Sequence, residues 1–355
     1  MKYNFEIRKT DSPKAKPDPN TLKFGKEFTD HMFIMEWSTD KGWHDGRIVP
    51  YGPLQLDPAA ASLHYSQQNF EGLKAYKTAD GRILLFRPYK NAARVNQTNE
   101  RMCMPELPED LFVEAIKALV SVERDWIPEK PGTSLYIRPF IIADDAFLGV
   151  HPAEHFKYII ILSPVGSHYE GGIRPTRIFV EQEYIRAAPG GTGYAKVGGN
   201  YAGSMKAQEN AAALGCDQVL WLDAIEHSYV EEIGSSNAFF VIGDEVITAP
   251  LLGTILPGVT RDSVITLLKK WGINVSERRL RIEEVEQAAK DGALKEIFAS
   301  GTAAVISPVG ELVFKDREVT VADGQPGDIS LRLYETLCAI QTGATEDDMD
   351  WTVEV

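Results

Sequence analysis

The chain has 355 residues, 44% hydrophobic and 25% charged, a soluble globular composition at a length for about two domains, each with its own core. A net charge of −14 argues against a non-specific nucleic-acid partner, and admits anionic small substrates only where positive charge is focused in a pocket. The N-terminus, Met-Lys-Tyr-Asn-Phe-Glu-Ile-Arg-Lys, has no signal-peptide core, no apolar run approaches membrane-spanning length, and three scattered cysteines make neither a disulfide framework nor a zinc knuckle, so a cytoplasmic protein is expected.

In chain order, Phe28 to Glu36 and Ile48 to Leu56 read as extended. Lys74-Ala-Tyr-Lys77 and Arg82-Ile-Leu-Leu-Phe86 flank Ala79-Asp80-Gly81, a hairpin signal. Tyr89 to Met102 and Glu109 to Ile127 read as helices, the second with Leu111, Phe112, Ala115, Ile116, Leu119 and Val120 on one face. Cys103 and Cys338 fall in helical patterns and read as small buried hydrophobes. Strands follow at Ser134 to Ile142 and Phe156 to Ser163. The Gly/Pro-containing passage from Val165 to about Gln182 lacks periodicity and reads as a connection, giving domains over 1–168 and 183–355, the first the smaller, joined by 169–182.

The second half mixes the two element types. Ser204 to Leu214 is a helix closed by Gly215, Gln218 to Leu222 is extended, and strands run from Tyr229 to Thr248. Thr260 to Trp271 reads as a helix with Thr260 at its cap and Gly272 past its end. Ile282 to Lys290 and Ile329 to Gln341 are helical too. Strands and helices do not alternate regularly, so the pattern predicts an α+β protein of two mixed-sheet domains rather than a doubly wound sheet.

His151-Pro-Ala-Glu-His155 spells a zinc-hydrolase motif, yet Pro152 and the strand after His155 leave no helix to carry both imidazoles, and no metal is expected. No P-loop, dinucleotide fingerprint or G-x-S-x-G elbow is present. Between Arg186 and Lys206 lie nineteen residues, six of them glycine, whose one ionisable amine or acid is Lys196. A lysine with no carboxylate in its own segment is a candidate for chemistry that needs a neutral amine, such as Schiff-base formation. Downstream stand three stretches that a lysine-bound phosphorylated cofactor would need. Glu232-Ile-Gly-Ser-Ser-Asn-Ala-Phe239 sets an acid among small residues. Leu256-Pro-Gly-Val-Thr-Arg261 opens a helix whose first amides favour an anion. Ser300-Gly-Thr-Ala303 is a tight turn able to present backbone donors.

Together these stretches resemble the class-IV (fold type IV) pyridoxal-phosphate aminotransferases. Phe24-Gly-Lys-Glu-Phe-Thr-Asp-His-Met32, Leu63-His-Tyr-Ser-Gln-Gln-Asn-Phe-Glu-Gly72, Leu85-Phe-Arg-Pro88, Tyr136-Ile-Arg-Pro139 and Lys196-Val-Gly-Gly-Asn-Tyr201 narrow the likeness to the branched-chain amino-acid aminotransferases of the larger, eukaryote-like type. It runs from about Phe24 to Val313. The resemblance implies the fold type IV architecture of two α/β domains meeting at a cofactor cleft, usually in a homodimer, with pyridoxal 5′-phosphate as cofactor. It implies transfer of the amino group of L-leucine, L-isoleucine or L-valine to 2-oxoglutarate by a ping-pong route.

Residue by residue, the resemblance implies that Lys196 holds the cofactor aldehyde as a Schiff base and shuttles the α-proton. Glu232 would keep the ring nitrogen protonated, while adjacent Glu231 keeps the reading of an exposed strand-end acid. Tyr201 would bond the ring's phenolic oxygen, and Arg94 would meet the phosphate beside the amides of Val259 and Thr260. The amides of Thr302, shared with the cofactor, and Ala303 would meet the substrate carboxylate, with Tyr65 assisting. Phe24, Phe70 and Tyr136 would line the side-chain pocket, Leu148 and Val150 entering from the partner subunit. Arg138, or the tyrosine hydroxyls near it, would engage the second carboxylate of glutamate. Ser235, where animal members usually have threonine, leaves the pocket wall smaller by a methyl. Ala304 and Ser307 replace the animal redox Cys-x-x-Cys, so no thiol regulation is expected there. A further aromatic wall residue falls on His168 or Tyr169. Rival readings are a D-amino-acid or amine transaminase, an aminodeoxychorismate lyase, or a cofactor-binding protein without activity.

Overall fold

The computed structural model describes residues 3–166 and 173–355. In order, its elements are β1 (Glu6–Ile7), β2 (His31–Ser38), β3 (Gly42–Pro50), α1 (Ala61–Tyr65), β4 (Gln68–Phe70), β5 (Leu73–Lys77), β6 (Ile83–Phe86), α2 (Pro88–Arg101), α3 (Glu109–Val122), β7 (Ser134–Ala143) and β8 (His155–Val165). There follow β9 (Thr176–Val180), α4 (Gly198–Ala202), α5 (Met205–Ala213), β10 (Gln218–Leu222), β11 (Val230–Ile233), β12 (Ser236–Ile242), β13 (Glu245–Thr248) and α6 (Val259–Lys270). The chain ends with β14 (Asn274–Glu277), α7 (Ile282–Lys290), β15 (Leu294–Gly301), β16 (Val305–Val313), β17 (Glu318–Thr320), α8 (Asp328–Gln341) and β18 (Thr352–Glu354). Two compact units result: Met1–His168 with Ala195–Gly198 and Ala339–Val355, and Tyr169–Tyr194 with Gly199–Cys338.

The first unit is built on a nine-stranded sheet ordered β1-β3-β2-β8-β7-β5-β6-β18, with β4 also on β7. The β5–β6 hairpin forms as its turn residues predict, Lys77 facing Ile83 across Gly81 at φ +87. α3 buries the predicted stripe, each large side chain contributing roughly 1.5–3 kcal/mol, and carries Glu109 and Asp110 in its first turn, where they suit the helix dipole. The helix stops at Val122, short of the expected Ile127, and a 3₁₀ turn covers Arg124–Trp126. Glu123 marks the break, its buried carboxylate taken by His31 Nδ1 and the Asp30 amide. The N-terminal part joins this unit and so does the C-terminal strand: β18 pairs with β6, placing residues 339–355 here instead of in an unbroken 183–355 domain.

The second unit has its own nine-stranded sheet, β11-β10-β9-β16-β15-β12-β13-β14, with β17 on β16. Because β11 also pairs with β12, the six strands from β11 to β12 close on themselves. Within the 169–182 passage read as a connection, the structure has a strand, β9. It runs parallel to both β10 and β16 inside the sheet. Ile178 and Val180 enter the main core of the unit while Phe179 packs with Ala207, Ala211 and Trp221. Its run is short and interrupted by Arg177, which pairs with Glu311 and Glu318, so periodicity did not reveal it.

Two local expectations also change. The α6 cap position is Gly258, with Thr260 already inside the helix and no side-chain cap; Gly272 beyond the end has φ +72 as expected. Cys103 is exposed, just past α2 at φ +51, and Cys338 is half-buried; only Cys216 of the described cysteines is buried. His151–His155 is a loop leading into β8, and no metal-binding cluster occurs among the described residues.

Candidate active site

In the first unit the Lys196 segment is pinned by its backbone. The Lys196 amide donates to Thr98 Oγ1 of α2 at 3.0 Å, and its carbonyl accepts from the Phe70 amide at 3.1 Å. Gly198 comes so close to Gln68 that a Cβ there would sit 2.7 Å from Nε2. The side chain lies along an aromatic wall, Lys196 Nζ standing 4.8 Å from the Phe70 ring centre. Arg138 spreads over the same ring at 4.9 Å and over Tyr136 at 5.3 Å, and its Nη2 donates to the Tyr136 hydroxyl at 3.0 Å. Phe24 meets Tyr136 edge-on at 4.8 Å. Gly72 leaves room for that hydroxyl, which a Cβ would approach to 2.1 Å. Lys196, Phe24, Phe70, Tyr136 and Arg138 are thus brought together.

α2 explains how Arg94 is placed. Asn91, Arg94 and Thr98 recur at helical spacing on a face that is buried although polar. Arg94 Nε and Nη2 donate to the two carboxylate oxygens of Glu71 at 2.7 and 2.8 Å, and Asn91 Nδ2 donates to Glu71 at 2.8 Å. Burial pushes the Glu71 carboxyl up, but the Arg94 guanidinium, its hydrogen bonds, the Lys196 charge and Asn91 outweigh it and hold the group below the ordinary carboxylate range. Lys196 therefore does have a carboxylate within electrostatic reach, supplied by another segment. Neither Glu71 nor Thr98 was singled out from sequence; the sole local hint is that α2 has polar residues where an apolar stripe would stand.

Tyr65, Leu148 and Val150 are not gathered with this group. Tyr65, on α1, is exposed beside His64, and Leu148 and Val150 are 67% and 87% exposed on the loop before β8. His168 and Tyr169 lie outside the described residues.

In the second unit Glu232 is buried on β11. Its Oε1 accepts from the Leu256 amide at 2.9 Å and from Asn237 Nδ2 at 3.3 Å, and Oε2 stands 2.7 Å from Arg186 Nε. Asn237 also donates to the Leu256 carbonyl at 2.9 Å, tying the β11–β12 hairpin to the Leu256-Pro-Gly turn. Gly258 fits because a Cβ there would lie 2.1 Å from Asn237 Oδ1. The amides of Val259 and Thr260 follow at the uncapped start of α6, where N–H groups and the helix dipole favour an anion. Glu231, read as an exposed acid, is instead buried: burial pushes its carboxyl up, opposed by the Thr254 hydroxyl, which donates to it at 2.5 Å.

Thr302 and Ala303 occupy the β15–β16 turn. The turn closes through Val305 at φ +64, a conformation that a β-branched side chain rarely adopts and that costs on the order of 1–3 kcal/mol. Burial of the valine in the strand that follows holds it there. Tyr201 on α4 and Ser235 on the β11–β12 turn line one cavity of about 270 Å³ with Arg186, Asn200 and Gln218.

A model of the amino-transferase class IV family matches residues 68–312. Branched-chain-amino-acid aminotransferase 2 of Bacillus subtilis (strain 168) is 55% identical over 354 residues, covering 100% of this chain and 98% of the relative. Branched-chain-amino-acid transaminase 1 of the same organism is 54% identical, with 100% of both chains covered. Among solved structures, the branched-chain amino acid aminotransferase of Escherichia coli aligns with a TM-score of 0.76 at 27% identity, over 91% of this chain and 98% of that one. A T.th. branched-chain amino acid aminotransferase with pyridoxamine 5′-phosphate aligns with a TM-score of 0.75 at 29% identity, over 90% of this chain and 97% of that one.

Proposed function

The chain belongs to the amino-transferase class IV family, and we propose that Lys196 is the residue on which its reaction turns. The protein is a branched-chain amino-acid transaminase: it moves the amino group of L-leucine, L-isoleucine or L-valine to 2-oxoglutarate, leaving a branched-chain 2-oxo acid and L-glutamate. Its cofactor is pyridoxal 5′-phosphate. The observation that carries the assignment is similarity to branched-chain aminotransferases along the whole chain, the Lys196 segment included.

The donor set fits that cofactor. A helix start without a side-chain cap suits a phosphate, a buried carboxylate at Glu232 suits a protonated ring nitrogen, and a backbone-pinned lysine suits an aldehyde. When bound, the cofactor supplies an electron sink for the bond broken at the substrate α-carbon. Lys196 Nζ would hold the cofactor, and its amine is the group that would take the substrate α-proton and return it. Glu232 would keep negative charge where a proton must stay on the ring, and Tyr201 would hydrogen-bond the phenolic oxygen. The groups that would hold the phosphate are Arg94 in the first unit, by charge-assisted bonds, and the amides of Val259, Thr260 and Thr302 in the second. Thr302 and Ala303 present amides to the substrate carboxylate.

Phe24, Phe70 and Tyr136 receive the branched side chain, and Arg138 receives the distal carboxylate of glutamate, so one pocket serves two unlike substrates. Exposed Phe147, Leu148 and Val150 support a homodimer in which this loop meets the partner's substrate. Ser235 tunes preference among the three amino acids. No helix of the described residues is long and apolar enough to cross a membrane, and with the cysteines free we place the enzyme in the cytoplasm. The test is stereochemical: purified protein with 2-oxoglutarate should form glutamate from L-leucine and not from D-alanine. Turnover of D-alanine without L-leucine would overturn the reading.

A further inference from the structure

Glu71 is a buried carboxylate that the roles above leave unused. It sits between β4 and β5, 1% exposed, one residue after the Phe70 ring that carries Lys196 Nζ. Its contacts form a closed set: Arg94 Nε on Oε1, and Arg94 Nη2, Asn91 Nδ2 and the Gly72 amide on Oε2, at 2.7, 2.8, 2.8 and 3.1 Å. A two-pronged grip of this kind fixes the plane of a guanidinium, which a salt bridge to one oxygen does not. An arginine free to rotate would lose rotamer entropy on meeting an anion, whereas one already held does not.

The same carboxylate acts on Lys196 through space. The Lys196 charge is among the influences that hold the Glu71 carboxyl below its ordinary range, and Lys196 Nζ stands 4.8 Å from the ring centre of Phe70, the residue before Glu71. Other charged and titratable groups around the pair in this unit are Arg94 from α2, Arg138 and Tyr136 from β7, and Tyr158 from β8. The Tyr158 hydroxyl is pushed well up by burial and by the Glu71 charge, so it stays neutral. Glu71 is then the negative charge that balances this cationic surround.

We propose that Glu71 is a positioning residue for transamination: it orients Arg94 toward the cofactor phosphate and favours the protonated state of the nitrogen presented by Lys196. The inference rests on the assignment of Lys196 and Arg94 above. Its test uses Glu71→Gln, which keeps the shape and removes the charge. The dissociation constant of pyridoxal 5′-phosphate from the variant should rise about tenfold or more. The midpoint of the pH titration of the holoenzyme's visible absorption should fall by about half a unit or more, because loss of a nearby anion disfavours the cationic form. A folded Glu71→Gln protein that matches wild type in both readouts overturns the proposal. If that variant does not fold, Glu71→Asp decides: charge is kept and reach is lost, so the midpoint should stay while cofactor retention weakens, and wild-type retention overturns the proposal. A wild-type protein that binds no cofactor would instead remove the underlying assignment.

Discussion

In the first unit the candidate groups are held by charged and aromatic side chains acting on one another: Glu71 grips Arg94, Arg138 lies on Phe70 and Tyr136, and Lys196 shares the Phe70 face. In the second unit they are largely backbone amides, at the start of α6, where Gly258 packs against Asn237, and in the β15–β16 turn. The difference teaches where each half is vulnerable. Side-chain charge can be deleted with shape preserved, and that should damage the first half. Backbone donors survive such changes but not an added Cβ.

The largest contrast should come from Arg138→Gln. A charge-assisted hydrogen bond is worth about 1.5–3 kcal/mol, so kcat/KM for 2-oxoglutarate should fall about tenfold to a hundredfold. Leucine, with no distal carboxylate, should be affected far less, and steady-state kinetics with both substrates checks this. Equal losses would break the assignment. Next is Gly258→Ala in the other unit. Its backbone angles suit alanine, so the effect isolates the 2.1 Å collision with Asn237, which also bonds Glu232. Overpacking of about 1–3 kcal/mol should weaken cofactor affinity about tenfold to a hundredfold in a titration of the apoprotein.

What the sequence made legible divides along the same line. Lys196, Glu232 and the Leu256–Arg261 stretch stood out because an isolated amine, an acid among small residues and a Gly before a helix start are local signals. The Glu71–Arg94 pair and the Thr98–Lys196 bond span 23 and 98 positions, and nothing local announces a partner that far along the chain. β9 escaped for a different reason: a five-residue strand inside a sheet is set by its neighbours β10 and β16 more than by its own pattern. Glu231 was misread because its burial comes from the surrounding loop, where Thr254 and Ile255 line the same cavity.

Smaller effects sharpen the comparison. Thr98→Val removes the acceptor of the Lys196 amide with little change in volume, and should cost about 1–2 kcal/mol in denaturant unfolding. The pH dependence should instead expose a carboxylate of the second unit. Burial raises the Asp223 carboxyl, but the amides of Glu226, Tyr229, Ser228 and Ile225 outweigh it and lower the group from 3.8 to about 2. Its stabilising contribution is complete above 3.8 and is lost as pH falls toward about 2. Asp223→Asn should therefore lower stability at neutral pH, where the charge contributes in full, and flatten the acid limb of a stability-versus-pH curve between those values, the two proteins converging as pH falls toward about 2.

The most direct measurement is the visible absorption of the purified holoprotein, with and without L-leucine, beside a Lys196→Ala variant given the same cofactor. Wild type should be coloured and should change its spectrum within one half-reaction when leucine is added. The variant should show only the spectrum of unattached cofactor and should not produce glutamate from valine and 2-oxoglutarate. Undiminished valine turnover by Lys196→Ala would contradict the account.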